Sequence, residues 1–199
     1  GLLTGWNYDP YAWDSIHFQI DHSNNHLSLY RFKATTSTGD SLKLHGEREL
    51  AGNIIITDLK GILKNTQIDI LKPFYINKKG NIISFPQLNI KLGCGELKLS
   101  CNYVSNDDYD ISGNISNLDL NNFYSLIGKS YRVSGLLKNT KFTIEKNNDE
   151  SVPFNKLFIE NLDIVEGNID DIQFNFLNIS AMYHDRRFVL IDFELDTHL

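Results

Sequence analysis

Apolar and polar residues alternate along most of this chain. Ile16, Phe18 and Ile20 are separated by His17 and Gln19, Tyr30, Phe32 and Ala34 by Arg31 and Lys33, and Tyr109, Ile111, Gly113 and Ile115 keep the same spacing. A period of two gives a strand one apolar and one polar face. About fourteen such runs of roughly five to nine residues predict a nearly all-β chain. The separators carry turn chemistry: Asn77-Lys78-Lys79-Gly80-Asn81, Asn106-Asp107-Asp108 and His184-Asp185-Arg186 supply the Gly, Asn and Asp that tolerate turn dihedrals. At Gly93-Cys94-Gly95 the apolar phase changes from Leu88, Ile90 and Leu92 to Leu97 and Leu99. One extra residue flips the faces of a strand, so a β-bulge is expected there. Only residues 118–128 break the alternation: apolar residues at three- and four-residue spacing predict a two-turn helix, capped by Asn121 and ended by Gly128.

The chain also resembles itself. GILKNTQIDI at residues 61–70 matches GLLKNTKFTI at residues 135–144 in six of ten positions, at an offset of 74. The same offset aligns Ile83 with Leu157, Phe85 with Ile159, Leu88 with Leu162, Ile90 with Ile164 and Gly93 with Gly167. A partial repeat, 61–93 on 135–167, predicts stacked strand groups rather than a compact barrel. An open sheet of fourteen strands would extend about 65 Å. With one apolar face and little helix to cover it, such a sheet must close, pack on another sheet or curl.

Composition narrows function mainly by exclusion. With 41% hydrophobic and 22% charged residues the chain is foldable, and its net charge of −6 lacks the footprint of general nucleic-acid binding. No basic leader followed by an apolar run opens it, and no stretch approaches the roughly 18 apolar residues of a membrane helix. It begins at Gly1 and stops at Leu199 without a recognisable terminus, and is expected to be an excised segment. Two cysteines cannot make a disulfide framework. Cys94 and Cys101 on one continuous strand would lie about 23 Å apart and are expected to be free, part-buried thiols.

Catalytic chemistry is not apparent. His22 and His26 would share a helix face, but Ser23-Asn24-Asn25 between them reads as a turn, so His17, His22 and His26 are expected to be surface imidazoles. Gly93-Cys94-Gly95 feeds a strand rather than the helix a phosphate loop needs. Asp107-Asp108 and Asp170-Asp171 have no nucleophile beside them. The chain is expected to be no enzyme and to need no metal or cofactor. Trp6, Tyr8, Tyr11 and Trp13 could stack on a sugar, with Asp9 and Asp14 as nearby carboxylates, or could seal one end of the sheet.

Asp58-Leu59-Lys60-Gly61-Ile62-Leu63 runs into Thr66–Pro73, a turn and strand at Gly80–Ile83, and then Leu88 to Ser100, which contains Gly93-Cys94-Gly95-Glu96-Leu97-Lys98-Leu99. Asp119-Leu120 through Gly128 is followed by Val133-Ser134-Gly135-Leu136-Leu137. This succession resembles the TamB (translocation and assembly module) family, within the AsmA-like superfamily of bridge-like lipid transfer proteins. It covers about residues 40–195 and is a pattern of strands and glycines, without an invariant motif. Cys101 stands where these repeats normally carry Gly, and residues 1–14 match nothing in the pattern.

The resemblance implies an elongated, curved β-taco-like sheet, mostly antiparallel, with a hydrophobic groove. Residues 1–199 would be one segment of a longer periplasmic chain anchored in the inner membrane by a segment not present here. The implied role is phospholipid transport between inner and outer membranes, in support of outer-membrane protein assembly. Implied partners are phospholipid acyl chains, neighbouring segments of the same parent chain and an outer-membrane barrel of the TamA type. The bottom-up candidates for the groove are one phase of the strands: Leu88, Ile90, Leu92, Leu97, Leu99, Phe142, Ile144, Leu162, Ile164, Ile172, Phe174 and Phe176. Parity alone leaves open which of them line a groove and which are sandwiched core. Replacing Phe174 or Ile164 with Glu is expected to block lipid passage while the fold survives. The rival readings are a structural β-solenoid without lipid and a glycan-binding β domain.

Overall fold

The structure, a computed structural model, describes residues 2–8, 11–23, 26–48, 52–126, 133–147, 154–184 and 186–197. Its strands are β1 (Leu2–Tyr8), β2 (Tyr11–Ser23), β3 (His26–Thr35), β4 (Ser41–Arg48), β5 (Ile54–Leu63), β6 (Thr66–Ile70), β7 (Phe74–Lys79), β8 (Ile82–Leu92), β9 (Gly95–Ser105), β10 (Asp108–Asp119), β11 (Val133–Asn147), β12 (Lys156–Ile169), β13 (Ile172–His184) and β14 (Arg187–Thr197). One helix, α1 (Leu120–Leu126), lies between β10 and β11. Each strand pairs antiparallel with the next in space, giving one all-β sheet from β1 to β14. β6 and β7 share a single place: β6 pairs with β5 at Lys60–Leu63, β7 with β5 at Ile54–Ile56, and both pair with β8. Leu71-Lys72-Pro73 interrupts what would otherwise be one strand, and Pro has no N–H to give to a ladder.

Turn chemistry sets the register. Gly80-Asn81 joins Lys79 to Ile82, and Asn106-Asp107 joins Ser105 to Asp108. The Gly93-Cys94 step corrects the expected bulge. Leu92 pairs with Gly95 across a two-residue hairpin loop, with Gly93 at a φ of 61°. A positive φ at the first central position suits a tight hairpin turn, and reversing the chain changes the apolar phase as a bulge would. True bulges lie elsewhere. The ladder slips between Phe85 and Leu88 in β8 and between Ile159 and Leu162 in β12. These positions are aligned by the repeat, so both segments bend at the same place.

The helix begins two residues earlier than the expected cap implies. Asp119 Oδ1 accepts the Asn122 N–H at 3.1 Å, which makes Asp119 the N-cap rather than Asn121. Gly128 lies outside the described residues. From α1, Phe123, Tyr124 and Leu126 pack on a cluster formed by Leu92, Leu118, Leu120, Leu137, Ile164, Phe174 and Leu177. A second cluster joins Trp13, Ile16, Ala34 and Leu63, and Leu126 and Ile68 pack against both. Through Leu126 the short helix thus touches both clusters. Trp13 is 7% exposed inside the second cluster, which removes it from any sugar-stacking platform.

Candidate functional site

Directly opposed residues in an antiparallel pair share a face, so the registers trace rows of side chains across the sheet. Two rows cross seven strands from β8 to β14. One runs Leu88, Leu99, Gly113, Phe142, Ile159, Ala181, Leu190; the next runs Phe85, Cys101, Ile111, Ile144, Leu157, Tyr183, Phe188. Every member of both rows is apolar or aromatic, and together they form a continuous ribbon about 29 Å long. Gly113 is required in it: a Cβ there would come within 2.8 Å of the Phe142 ring and 2.7 Å of Leu99 Cδ2. On β2 to β5 the same face carries Phe18, Phe32, Leu44 and Leu59.

Burial grades along the strands. At the helix end, Leu137 and Ile164 are 3% exposed and Phe174 is 1% exposed. At the opposite end and along β14 the same face opens to solvent, with Ile83 at 38%, Ile20 at 57% and Phe188 at 65%. β14 pairs only with β13, so Leu190, Phe193 and Leu195 on this face lack a lateral neighbour among the described residues. Lys146, on the same face beyond Ile144, is buried at 9% exposure and paired with Asp107 at 2.7 Å.

The sequence-predicted residues divide three ways. Leu88, Ile90, Leu97, Leu99, Phe142, Ile144 and Leu162 lie on the apolar face and are half-buried. Leu92, Ile164 and Phe174 are instead packed interior. Glu at Ile164 or Phe174 would bury a charge without a partner, so the expectation that the fold survives such changes is corrected. The remaining two fall in neither group. Ile172 is exposed beside the Asp170-Asp171 turn. Phe176 stands opposite Val165, which stands opposite Leu136, on the face away from Leu177. Phe174 and Leu177, an odd step apart, are buried in the same cluster, so strict parity fails through this part of β13. Phe85, Ile111, Leu157 and Ile159 belong to the ribbon although the phase-based selection omitted them. The repeat alignment of Phe85 with Ile159 carried the signal.

The thiols differ from one another. Both are free; Cys94 is exposed in its hairpin turn, with Sγ donating to the Asn117 carbonyl at 3.4 Å. Cys101 is buried within the ribbon, and burial, with the nearby Asp110 carboxylate, pushes its pKa up. Among the described residues no group of three His, Cys, Asp or Glu side chains could hold a metal ion. Among the described residues no helix is long and apolar enough to cross a membrane. No family model, curated protein or solved structure matches the chain.

Proposed function

We propose that this chain is a segment of a bridge-like lipid carrier of the TamB and AsmA-like kind, moving phospholipids between inner and outer membranes. One observation carries the reading: an uninterrupted apolar ribbon crosses seven strands, half-buried over most of its length and open to solvent along β14. Acyl chains can slide along such a face because apolar contact is non-directional, at about 0.8 kcal/mol per buried methylene. Head groups would stay at the solvent-exposed margin of the face. In this reading the edges of β1 and β14, which have no further partner strand among the described residues, receive neighbouring segments of the same parent chain, since exposed strand edges recruit further strands. The parent chain would work in the periplasm, anchored in the inner membrane by another segment, and would meet an outer-membrane barrel of the TamA type.

Native mass spectrometry of the purified chain, with lipid extraction of the same sample, tests the reading. Co-purifying phospholipid is expected, and Leu99→Glu or Ile144→Glu should remove it while the far-UV circular dichroism of the sheet is retained. A folded, monodisperse wild-type chain free of lipid would overturn the proposal and favour the structural solenoid.

A further inference from the structure

The polar side of the sheet carries an arrangement that the apolar ribbon does not explain. One cross-strand row sets His17 opposite Lys33, Lys33 opposite Lys43, and Lys43 opposite Lys60. Further along, the same row alternates in sign: Lys60 faces Asp69, Asp69 faces Lys91, and Lys91 faces Glu96. Opposite charges across strands stabilise a pair, whereas like charges directly opposed destabilise it. A chain with 25 acidic residues against 19 Lys and Arg has the means to alternate throughout, as it does from β5 to β9. From β2 to β5 it places four basic side chains side by side.

The adjacent row, Gln19, Arg31, His45 and Asp58, adds two more basic groups. Along these rows lies a hollow of about 840 Å³, lined by Arg31, Lys33, Lys43 and His45 and, from the alternate positions of the same strands, by Phe18, Ile20, Phe32 and Leu44. The acidic residue among its described lining, Asp58, is paired with Lys60 at 3.0 Å. Arg31, Lys33 and Lys43 are exposed and make no ion pair with the described residues. His45 Nδ1 lies 3.1 Å from Thr57 Oγ1, while its Nε2 is buried without a hydrogen-bond partner. The hollow therefore concentrates uncompensated positive charge on an otherwise acidic protein.

We infer that this hollow binds phosphate groups presented at close spacing. From His17 to Lys60 the row spans about 14 Å, enough for more than one phosphate, and a bound anion would remove the repulsion within the row. Arg31 offers a planar fork for two phosphate oxygens, and Lys33 and Lys43 are mobile point charges beside it. The head groups of an anionic membrane and a soluble oligophosphate present the same chemistry. The basic row lies, by register, on the face opposite the apolar ribbon, and its binding does not depend on lipid being carried there.

The test compares the whole 199-residue chain with a Lys33→Glu/Lys43→Glu variant. Each is floated with vesicles of phosphatidylglycerol and phosphatidylcholine, floated with vesicles of phosphatidylcholine alone, and titrated calorimetrically with tripolyphosphate. The wild-type chain is expected to bind phosphatidylglycerol vesicles or tripolyphosphate at low salt, to weaken as salt rises, and to ignore phosphatidylcholine alone. The variant should lose about tenfold or more in affinity with a melting temperature equal to or above that of wild type, because repulsion within the row is relieved. Vesicle binding without tripolyphosphate binding assigns the site to a membrane surface, and the reverse assigns it to a soluble ligand. Failure to bind either at low salt, or equal binding by the variant, overturns the inference. Phospholipid that co-purifies on the apolar face should be unaffected by the variant, which separates this inference from the proposed carriage of lipid.

Discussion

At its helix end the apolar face is a protein interior, and at its other end it is a surface. The residue types are the same: Leu137, Ile164 and Phe174 at one end differ little in kind from Leu99, Ile144 and Phe188 towards the other. What differs is cover. α1 packs against the cluster around Leu92, Leu118 and Leu177 and, through Leu126, against the second cluster, whereas nothing among the described residues covers Phe188 or Ile20. Apolar patterning thus specifies a face, and the presence of a lid decides whether that face is core or contact surface.

Substitutions of similar size should separate the two ends. The largest effect is expected at Phe174: Phe174→Ala should lower the unfolding free energy by about 3–5 kcal/mol in urea melts, through lost burial and a cavity. Leu99→Ala, on the half-buried ribbon, should cost about half as much. Equal losses at the two sites would erase the distinction between interior and surface. Asp40→Ala comes next. Asp40 is 7% exposed and its Oδ1 accepts the Lys64 N–H at 2.6 Å, so its removal should cost about 1–3 kcal/mol by leaving that donor unpaired. Asp119→Ala should weaken the lid by about 1 kcal/mol through loss of the helix cap, with increased amide exchange in α1 as the readout.

The smallest effect concerns the thiols. Cys94 should be alkylated readily in the folded chain and Cys101 slowly. The Cys101 thiol stays neutral to higher pH in the fold than in the unfolded chain. Its contribution to stability is therefore intact below the ordinary value of 9.0 and is lost as pH rises beyond it. Cys101→Ser should flatten that loss in a pH series of melts.

Much of this architecture was legible in the chain. Strand number, the antiparallel order, the short helix and the turns at Gly80-Asn81 and Asn106-Asp107 follow from local patterning, because period-two alternation and turn dihedrals are properties of a few neighbouring residues. The apolar ribbon was only partly legible. Parity identified Leu88, Leu99, Phe142 and Ile144, but it misassigned Phe176 and missed Ile159. Each bulge shifts the phase by one residue, and a bulge is defined by a partner strand remote in sequence. The basic row on the polar face was invisible for the same reason: His17, Lys33, Lys43 and Lys60 become neighbours only when four strands align.

The repeated block Leu-Lys-Asn-Thr shows where local information ends. At residues 63–66 it is a hairpin turn, with Lys64 and Asn65 at φ values of 46° and 63° and Leu63 paired with Thr66. At residues 137–140 the same four residues lie inside β11. Both copies nevertheless bury their Leu and Thr: Leu63 and Thr66 at 9% and 4%, Leu137 and Thr140 at 3% and 4%. In the first copy the turn brings the two side chains opposite each other on one face. In the second they lie three apart in a strand flanked by Asn117 and Asn161, both at positive φ, and the ladder to β12 slips on either side of Asn139. The sequence by itself determined which side chains had to be buried. The backbone that buries them was decided by tertiary partners: Asp40 receives the amide of the turn, while β10 and β12 hold the strand on both sides, because each route satisfies the backbone hydrogen bonds that burial would otherwise leave unpaired.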